Sequence, residues 1–282
     1  MRIAIATTEP LPEPDPDQEL LLAAIRAHGA EVEMLSWCTS TTDPASFDLI
    51  VLRSTWDSHW KPAAFRSWCE RTGARTRLAN PARTVAWNLH KSYLRDLEER
   101  GVPIVPTAWV ERGERADLDA IIAELGSAEL VIKPAISAGS WKTRRFTDHD
   151  RDAARAFLAE LASEADAMVQ PYLRSTETSG ERALIWIDGE LTHSVRKSPR
   201  FSGEDESVSA ALVPSDEECA FALRTLEAAA QPGLLYARVD VMRGERGELL
   251  LSELELIEPS LFLKQHPPAL ERLARGIVAR AR

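Results

Sequence analysis

Over the first eighty residues, short apolar runs alternate with amphipathic stretches. Residues 2–7, 31–37 and 48–53 are runs rich in Ile, Val, Leu and Ala with small or polar flanks, a pattern that predicts buried strands. Between them, residues 18–27 place Leu20, Leu21, Ala24 and Ile25 near one helical face, with Gly29 as the stop. Residues 63–71 form a second such helix, ended by Gly73. This alternation predicts a small doubly wound α/β unit, whose ligand contacts gather at the carboxyl ends of the strands. Arg53-Ser54-Thr55-Trp56 falls at such an end, and Arg53 is a candidate for a bidentate grip on a small carboxylate. Trp56 and Trp60 read either as ligand wall or as packing between units, with packing favoured for Trp60.

Asn80-Pro81 reads as a helix start with Asn as N-cap. A helix over 87–100 follows, stopped by Gly101 and Pro103; Lys91 lies off its stripe of Leu89, Tyr93 and Leu97 and so points to solvent or ligand, with solvent favoured. Next come an extended stretch over 104–110, a helix over 118–125 and a strand over 129–133. A small-residue loop spans 134–142, and Asp148 caps a helix through 163. A strand over 168–173 precedes a hairpin of 182–187 and 190–195, turned at Asp188-Gly189. Residues 199–207 read as a polar loop containing Arg200, a weak substrate candidate. The chain continues with a helix over 215–230, strands over 235–242 and 248–257, and a helix over 269–281. His193 is a second weak candidate; it sits in a strand and reads as a structural hydrogen-bonding residue in preference to a base.

Composition narrows the function classes. Among 282 residues, 34 Lys+Arg face 44 Asp+Glu, a net charge of −10, which argues against broad binding to nucleic acid or anionic membrane but leaves room for a local basic pocket. Cys38, Cys69 and Cys219 lie far apart with no C-x-x-C pair, which suits a reducing compartment. No run approaches about 20 apolar residues, and the N-terminal apolar stretch is too short for a signal peptide, so the expected location is cytoplasmic. No two glycines are spaced G-x-G, which removes the dinucleotide fingerprint and the kinase glycine loop. The six histidines include no i, i+4 pair, so a zincin helix is absent.

The strands 235–242 and 248–257 carry the densest chemistry. Alternate strand residues share a face, so Arg238 and Asp240 lie together, as do Glu253 and Glu255. An antiparallel hairpin closed about Arg246-Gly247 sets Asp240 opposite Glu253 and Arg238 opposite Glu255. Like charges across a ladder destabilise it. A divalent cation relieves the conflict, and oxygen-only ligands point to Mg²⁺ or Mn²⁺ completed by phosphate. A solvated hairpin face with Arg238 neutralising one acid fits the same spacing. Lys133 ends a strand beneath the small-residue loop, a placement that suits polyphosphate or, equally, an exposed edge.

The ordered set, rather than any one motif, carries a resemblance. Lys91, Val131-Ile-Lys-Pro134, the small-residue loop, Met168-Val-Gln-Pro-Tyr-Leu173, Gly180-Glu181, Ala237-Arg-Val-Asp240 and Glu253-Leu-Glu255 together resemble the ATP-grasp superfamily, in its glutathione-synthetase-like branch, over about residues 80–265. Residues 186–190, 192–197 and 253–261 are similar to the O-ureidoserine cyclo-ligase group, which closes the cycloserine ring. The resemblance implies an α/β (α+β) ATP-grasp fold. Residues 1–82 would form a Rossmann-like substrate domain and 83–282 the ATP-grasp domain, divided into a central subdomain with its lid (about 105–172) and a C-terminal subdomain (173–282). It implies that Lys91 and Lys133 hold ATP phosphates and that residues 137–143, with Ser137 and Gly139, form the lid. Gln170, Tyr172 and Leu173 would meet adenine; Glu181, in preference to Glu177, would bind ribose; Asp240, Glu253 and Glu255 would hold Mg²⁺ or Mn²⁺.

Arg238 would then stabilise transferring charge and Lys197 would assist. Many relatives have Glu-x-Asn where this chain has Glu253-x-Glu255, and the lid here carries a single glycine. The implied activity is an ATP-dependent carboxylate–amine ligase acting through an acyl phosphate on a small amino-acid-like substrate; relatives are often dimers or tetramers. A phosphotransferase and a nucleotide-binding module without chemistry are the rival readings. Glu258 and Ser260, just past the last strand, are candidates for an acceptor pocket.

Overall fold

The computed structural model describes residues 1–198 and 207–282; Arg200 and most of the polar loop lie outside the described residues. The chain opens with β1 (Arg2–Thr7), α1 (Gln18–Ala27), β2 (Glu31–Ser36), β3 (Leu49–Ser54), α2 (Pro62–Gly73) and β4 (Arg77–Ala79). The strands form a parallel sheet in the order β2-β1-β3-β4. Both faces of β1 and β3 are buried, which is why these strands read as continuous apolar runs. Ile3, Ile5, Leu49 and Val51 pack with Leu21 and Ile25 of α1, whereas Ala4, Ala6, Ile50 and Leu52 pack with Phe65 and Cys69 of α2.

Asn80 is not a helix cap. Its buried amide donates to the carbonyls of Tyr236 (2.9 Å) and Leu256 (2.7 Å) and accepts from Leu235 N–H (2.7 Å), tying the end of the first sheet to the C-terminal strands. The helix expected over 87–100 is two helices, α3 (Ala82–Asn88) and α4 (Tyr93–Glu99). Tertiary bonds break it. Lys91 N–H donates to Ala135 O (2.8 Å), Ser92 N–H to His90 Nδ1 (3.1 Å), and the Asn88 amide bridges Leu254 O and Leu256 N–H. The break turns Lys91 inward, where only 7% of it remains exposed, against the solvent-facing expectation.

A second sheet follows, with β5 (Ala108–Val110), α5 (Leu118–Leu125), β6 (Leu130–Pro134), β7 (Arg144–Phe146), α6 (Arg151–Glu164) and β8 (Ala167–Pro171). Its antiparallel order is β5-β8-β6-β7, and Val110, Ile132, Phe157, Leu161 and Val169 form its own core. The turn into α6 is closed by a Thr147/Asp150 capping box instead of an Asp148 cap. The third sheet comprises α7 (Ser175–Ser179), β9 (Glu181–Ile187), β10 (Glu190–Lys197), α8 (Asp216–Ala229), β11 (Tyr236–Arg243) and β12 (Leu249–Glu255), in the antiparallel strand order β10-β9-β11-β12. Val239, Val241, Leu254 and Leu256 pack with Leu94, Leu97 and Phe221 of α4 and α8. The other face therefore carries the charged residues toward the second sheet.

The last helix, α9 (Pro267–Ala281), returns to the first sheet. Leu273, Ile277 and Val278 share one core with Ile3, Ile5, Leu21 and Ile25. Among the described residues, no helix is long and apolar enough to cross a membrane.

Candidate active site

The register of β11 on β12 pairs Arg238 with Glu255 and Asp240 with Glu253, as the alternation predicts. Their face borders two cavities. One, about 210 Å³, lies between the second and third sheets and is lined by Lys133, Gln170, Tyr172, Leu173, Glu181 and Lys197, among others. The other, about 600 Å³, is walled by Trp56, Ser58, His59 and Trp60 from the N-terminal region, by Lys91, and by Glu258 and Ser260. Arg238, Glu253, Glu255 and the loop residues Ser137, Ala138 and Gly139 line both.

At this junction each acid has a cationic partner. Lys133 Nζ donates to Glu253 Oε1 at 3.0 Å, and Lys91 Nζ lies 3.7 Å from the same oxygen. Lys91 also donates to the Ser137 carbonyl at 2.8 Å, which joins the α3–α4 break to the loop above it. The Arg238 guanidinium grips both oxygens of Asp240 (Nε to Oδ1 and Nη2 to Oδ2, each 2.9 Å) and donates to Glu255 and to the Ser260 carbonyl. Lys197 Nζ donates to Asp240 Oδ2 at 2.6 Å and lies 3.1 Å from Glu181 Oε2, while Ser252 Oγ donates to Glu181 Oε1.

These contacts sort the acids. Burial opposes ionisation of Glu253, but Lys91 and Lys133 overcome it and pull its carboxyl down to about 2. Burial also opposes ionisation of Asp240, and Arg238 and Lys197 outweigh it, so its pKa is lowered. Glu255 goes the other way: burial pushes it up to about 7, opposed by Arg238 and reinforced by the charges of Asp240 and Glu253. Lys197 is raised, because Asp240 and Glu181 outweigh the cost of burying its charge.

Glu253 and Glu255 offer hard oxygens from alternate positions of one strand, both open to the junction. They fit Mg²⁺ or Mn²⁺. Asp240 differs, since it is 1% exposed, lines neither cavity, and has both oxygens engaged by Arg238 and Lys197. Among the described residues, no three acidic, histidine or cysteine side chains form a ready-made metal cluster, so phosphate or water oxygens would complete the coordination.

Residues 3–80 match the family model described as the N-terminal domain of D-cycloserine synthetase DcsG. The cycloserine biosynthesis protein DcsG of Streptomyces lavendulae is 31% identical over 281 residues, covering 94% of each chain. The chain belongs to the DcsG family. The crystal structure of D-cycloserine synthetase DcsG superposes with a TM-score of 0.92 at 30% identity over 100% of both chains. D-alanine–D-alanine ligase of Bacillus anthracis shares the fold, with a TM-score of 0.68 at 15% identity over 100% of this chain and 97% of that one. As a DcsG-family member the protein is an ATP-grasp ligase with the α+β fold of that superfamily. Binding of ATP and Mg²⁺ is a general feature of these ligases.

Several candidates stand elsewhere in this DcsG-family structure. Arg53 is 2% exposed, donates to the Pro259 carbonyl at 2.9 Å and stacks over Tyr236; it borders neither cavity and is a structural clamp, which corrects the carboxylate-binding expectation. Trp60, expected in packing, is 51% exposed at the rim of the larger cavity. Glu177 accepts from Tyr172 Oη and pairs with Arg145 outside the smaller cavity, whereas Glu181 lines it. His193 is buried in a stack on His266, as its structural reading expects. Missed altogether were Ser58, His59 and Trp141. His59 meets Trp141 of the loop at 5.4 Å between ring centroids, a contact between residues over eighty positions apart that local periodicity does not encode.

Proposed function

We propose that the protein is an ADP-forming carboxylate–nucleophile ligase that activates a small amino-acid-like substrate as an acyl phosphate. The observation that carries this is the junction: the smaller cleft and the larger cavity meet over Arg238, Glu253 and Glu255, beneath Ser137–Gly139. A substrate carboxylate entering from the larger cavity attacks the γ-phosphorus of ATP; a C–O–P bond forms, the β,γ-bridging P–O bond breaks, and ADP leaves. A substrate nitrogen then attacks the carbonyl carbon and gives up a proton to solvent, and phosphate departs with the oxygen acquired in the first step. Such chemistry depends on placement and charge neutralisation more than on side-chain nucleophiles.

In this reading Lys91 and Lys133 hold the phosphates and Ser137 and Gly139 close over them. Gln170, Tyr172 and Leu173 border adenine, and Glu181 takes the ribose hydroxyls. Arg238 neutralises charge on the transferring group, and Lys197 positions Asp240 and Glu181. Glu253 and Glu255 would hold Mg²⁺, which supplies charge neutralisation on the phosphates when bound; Asp240 joins them only by exchanging its bonds to Arg238 or Lys197. Residues 1–82 would serve as the substrate domain and 83–282 as the ATP-grasp domain. The partner is then a small molecule, the assembly a homo-oligomer and the location cytoplasmic.

The test is an ADP-release screen of small amino acids with Mg·ATP, with products identified by mass. Equimolar ADP, phosphate and an amide-type product are expected. A stable phosphorylated product would instead establish a phosphotransferase.

A further inference from the structure

One wall of the larger cavity holds polar atoms that the scheme above does not use. Glu258 Oε1 accepts from Ser58 Oγ at 2.8 Å, while Glu258 Oε2 is buried with no hydrogen-bond partner. Beside it, neither ring nitrogen of His59 has one. The neighbouring polar groups are already committed. Trp56 Nε1 donates to the Glu258 carbonyl (3.1 Å), the Asn88 amide is bonded at both ends, and Tyr93 Oη accepts from Leu254 N–H. A buried polar atom without a partner is costly, so such atoms in a ligand cavity point to a ligand group that satisfies them.

The chemistry of these two side chains says which group. Burial pushes Glu258 up to about 8; Ser58 and Lys91 oppose this, and Glu255 and Asp57 add to it. Burial and the nearby Lys91 hold His59 down to about 4, so its ring is neutral near pH 7 and keeps an acceptor nitrogen. An unpartnered carboxyl oxygen beside a ring that keeps an acceptor nitrogen calls for a ligand group rich in hydrogen-bond donors.

We propose that Glu258, oriented by Ser58 and flanked by His59, receives the primary ammonium of the amino-acid-like substrate and so selects free amines over N-blocked analogues. An ammonium opposite Oε2 supplies both the missing hydrogen bond and a balancing charge. The carboxyl then ionises, its proton passing to solvent. The carboxylate end of the same molecule is left for the Arg238 junction. The proposal deepens the ligase reading, on which its substrate class rests.

The test is calorimetric titration of D-cycloserine, D-serine and D-alanine, each against its N-acetyl derivative, in the presence of Mg·ADP. Wild type is expected to bind at least one amine ten-fold or more tighter than its acetylated form. Glu258→Gln is expected to erase that preference by weakening the amine alone, and Ser58→Ala to reduce it part-way. Glu258 lies outside the nucleotide cleft, so an unchanged Mg·ADP affinity certifies that the variant is folded. Equal binding of amine and acetylated forms by wild type, binding of neither, or an undiminished preference in both variants would overturn the assignment. Failure of the ligase reading is separately visible, as no ADP release from wild type with any amino acid.

Discussion

Replacing Arg238 is the sharpest test of the junction. Its guanidinium grips both oxygens of Asp240, reaches Glu255 and faces both cavities. Arg238→Ala leaves Asp240 with Lys197 alone and Glu255 with no cation among the contacts described above. Breaking a buried pair in this way costs about 3–5 kcal/mol of stability. Losing a donor aimed at developing charge costs about 2.7–4 kcal/mol of barrier, or roughly 10²–10³ in kcat. Arg238→Lys separates the two effects. It retains a charge for the acids, so most of the stability should return, but one ammonium cannot reproduce the planar fork, so kcat should stay depressed at least ten-fold. The assay pairs a thermal melt with ADP release under saturating ATP. A lysine variant that recovers both stability and turnover to within three-fold of wild type would show that Arg238 contributes charge balance and no transition-state contact.

Two further outcomes follow from particular contacts. Gly180 has φ +68°, and a Cβ there would lie 2.5 Å from Arg196 Cγ and 2.7 Å from the Lys197 carbonyl; Gly180→Ala should therefore displace Lys197 and Glu181 together, weakening ATP binding at least ten-fold in a nucleotide titration. Burial and the neighbouring His266 hold His193 down to about 4 against an unfolded value near 6.5. Its contribution is thus complete above about pH 6.5 and is lost as pH falls toward 4, by up to about 3 kcal/mol. Melting wild type and His193→Gln side by side at pH 7.5 and 5 should show the larger loss in wild type.

Legibility from the sequence followed the range of the forces involved. The pairing of Arg238 with Glu255 and Asp240 with Glu253 was readable because strand alternation and a short turn are local facts. Lys91 was recognisable by resemblance, but its inward turn was not, because the helix break depends on Ala135, Leu254 and Leu256. Arg53 looked like a ligand residue at a strand end, yet its partner carbonyl at Pro259 lies 206 positions away. The helix α9 read as an ordinary C-terminal helix, and nothing in its own pattern announced that it completes the core of the first sheet. Asp240 carries the residue type and spacing of a metal ligand. Its saturation by Arg238 and Lys197 emerges only from the assembled strands.

The ion pairs at the junction also imply an exchange on binding. Glu253 pairs with Lys133 at 3.0 Å and with Lys91 at 3.7 Å, the two cations proposed for the phosphates. A metal-free nucleotide must compete with Glu253 for them and meets the negative charge of that carboxylate as well. A divalent ion taking Glu253 releases both lysines, so metal and nucleotide affinities should be positively coupled, and reciprocally so. Glu253→Gln breaks the coupling from one side. The lysines lose their internal anion, and metal-free ADP should bind about ten-fold tighter than to wild type, a gain of about 1.4 kcal/mol. Mg²⁺ should then add little. Titrations of ADP into both proteins, with EDTA and with Mg²⁺, measure the four affinities of this cycle. Weaker metal-free binding by Glu253→Gln would mean that Glu253 organises the lysines for phosphate instead of withholding them.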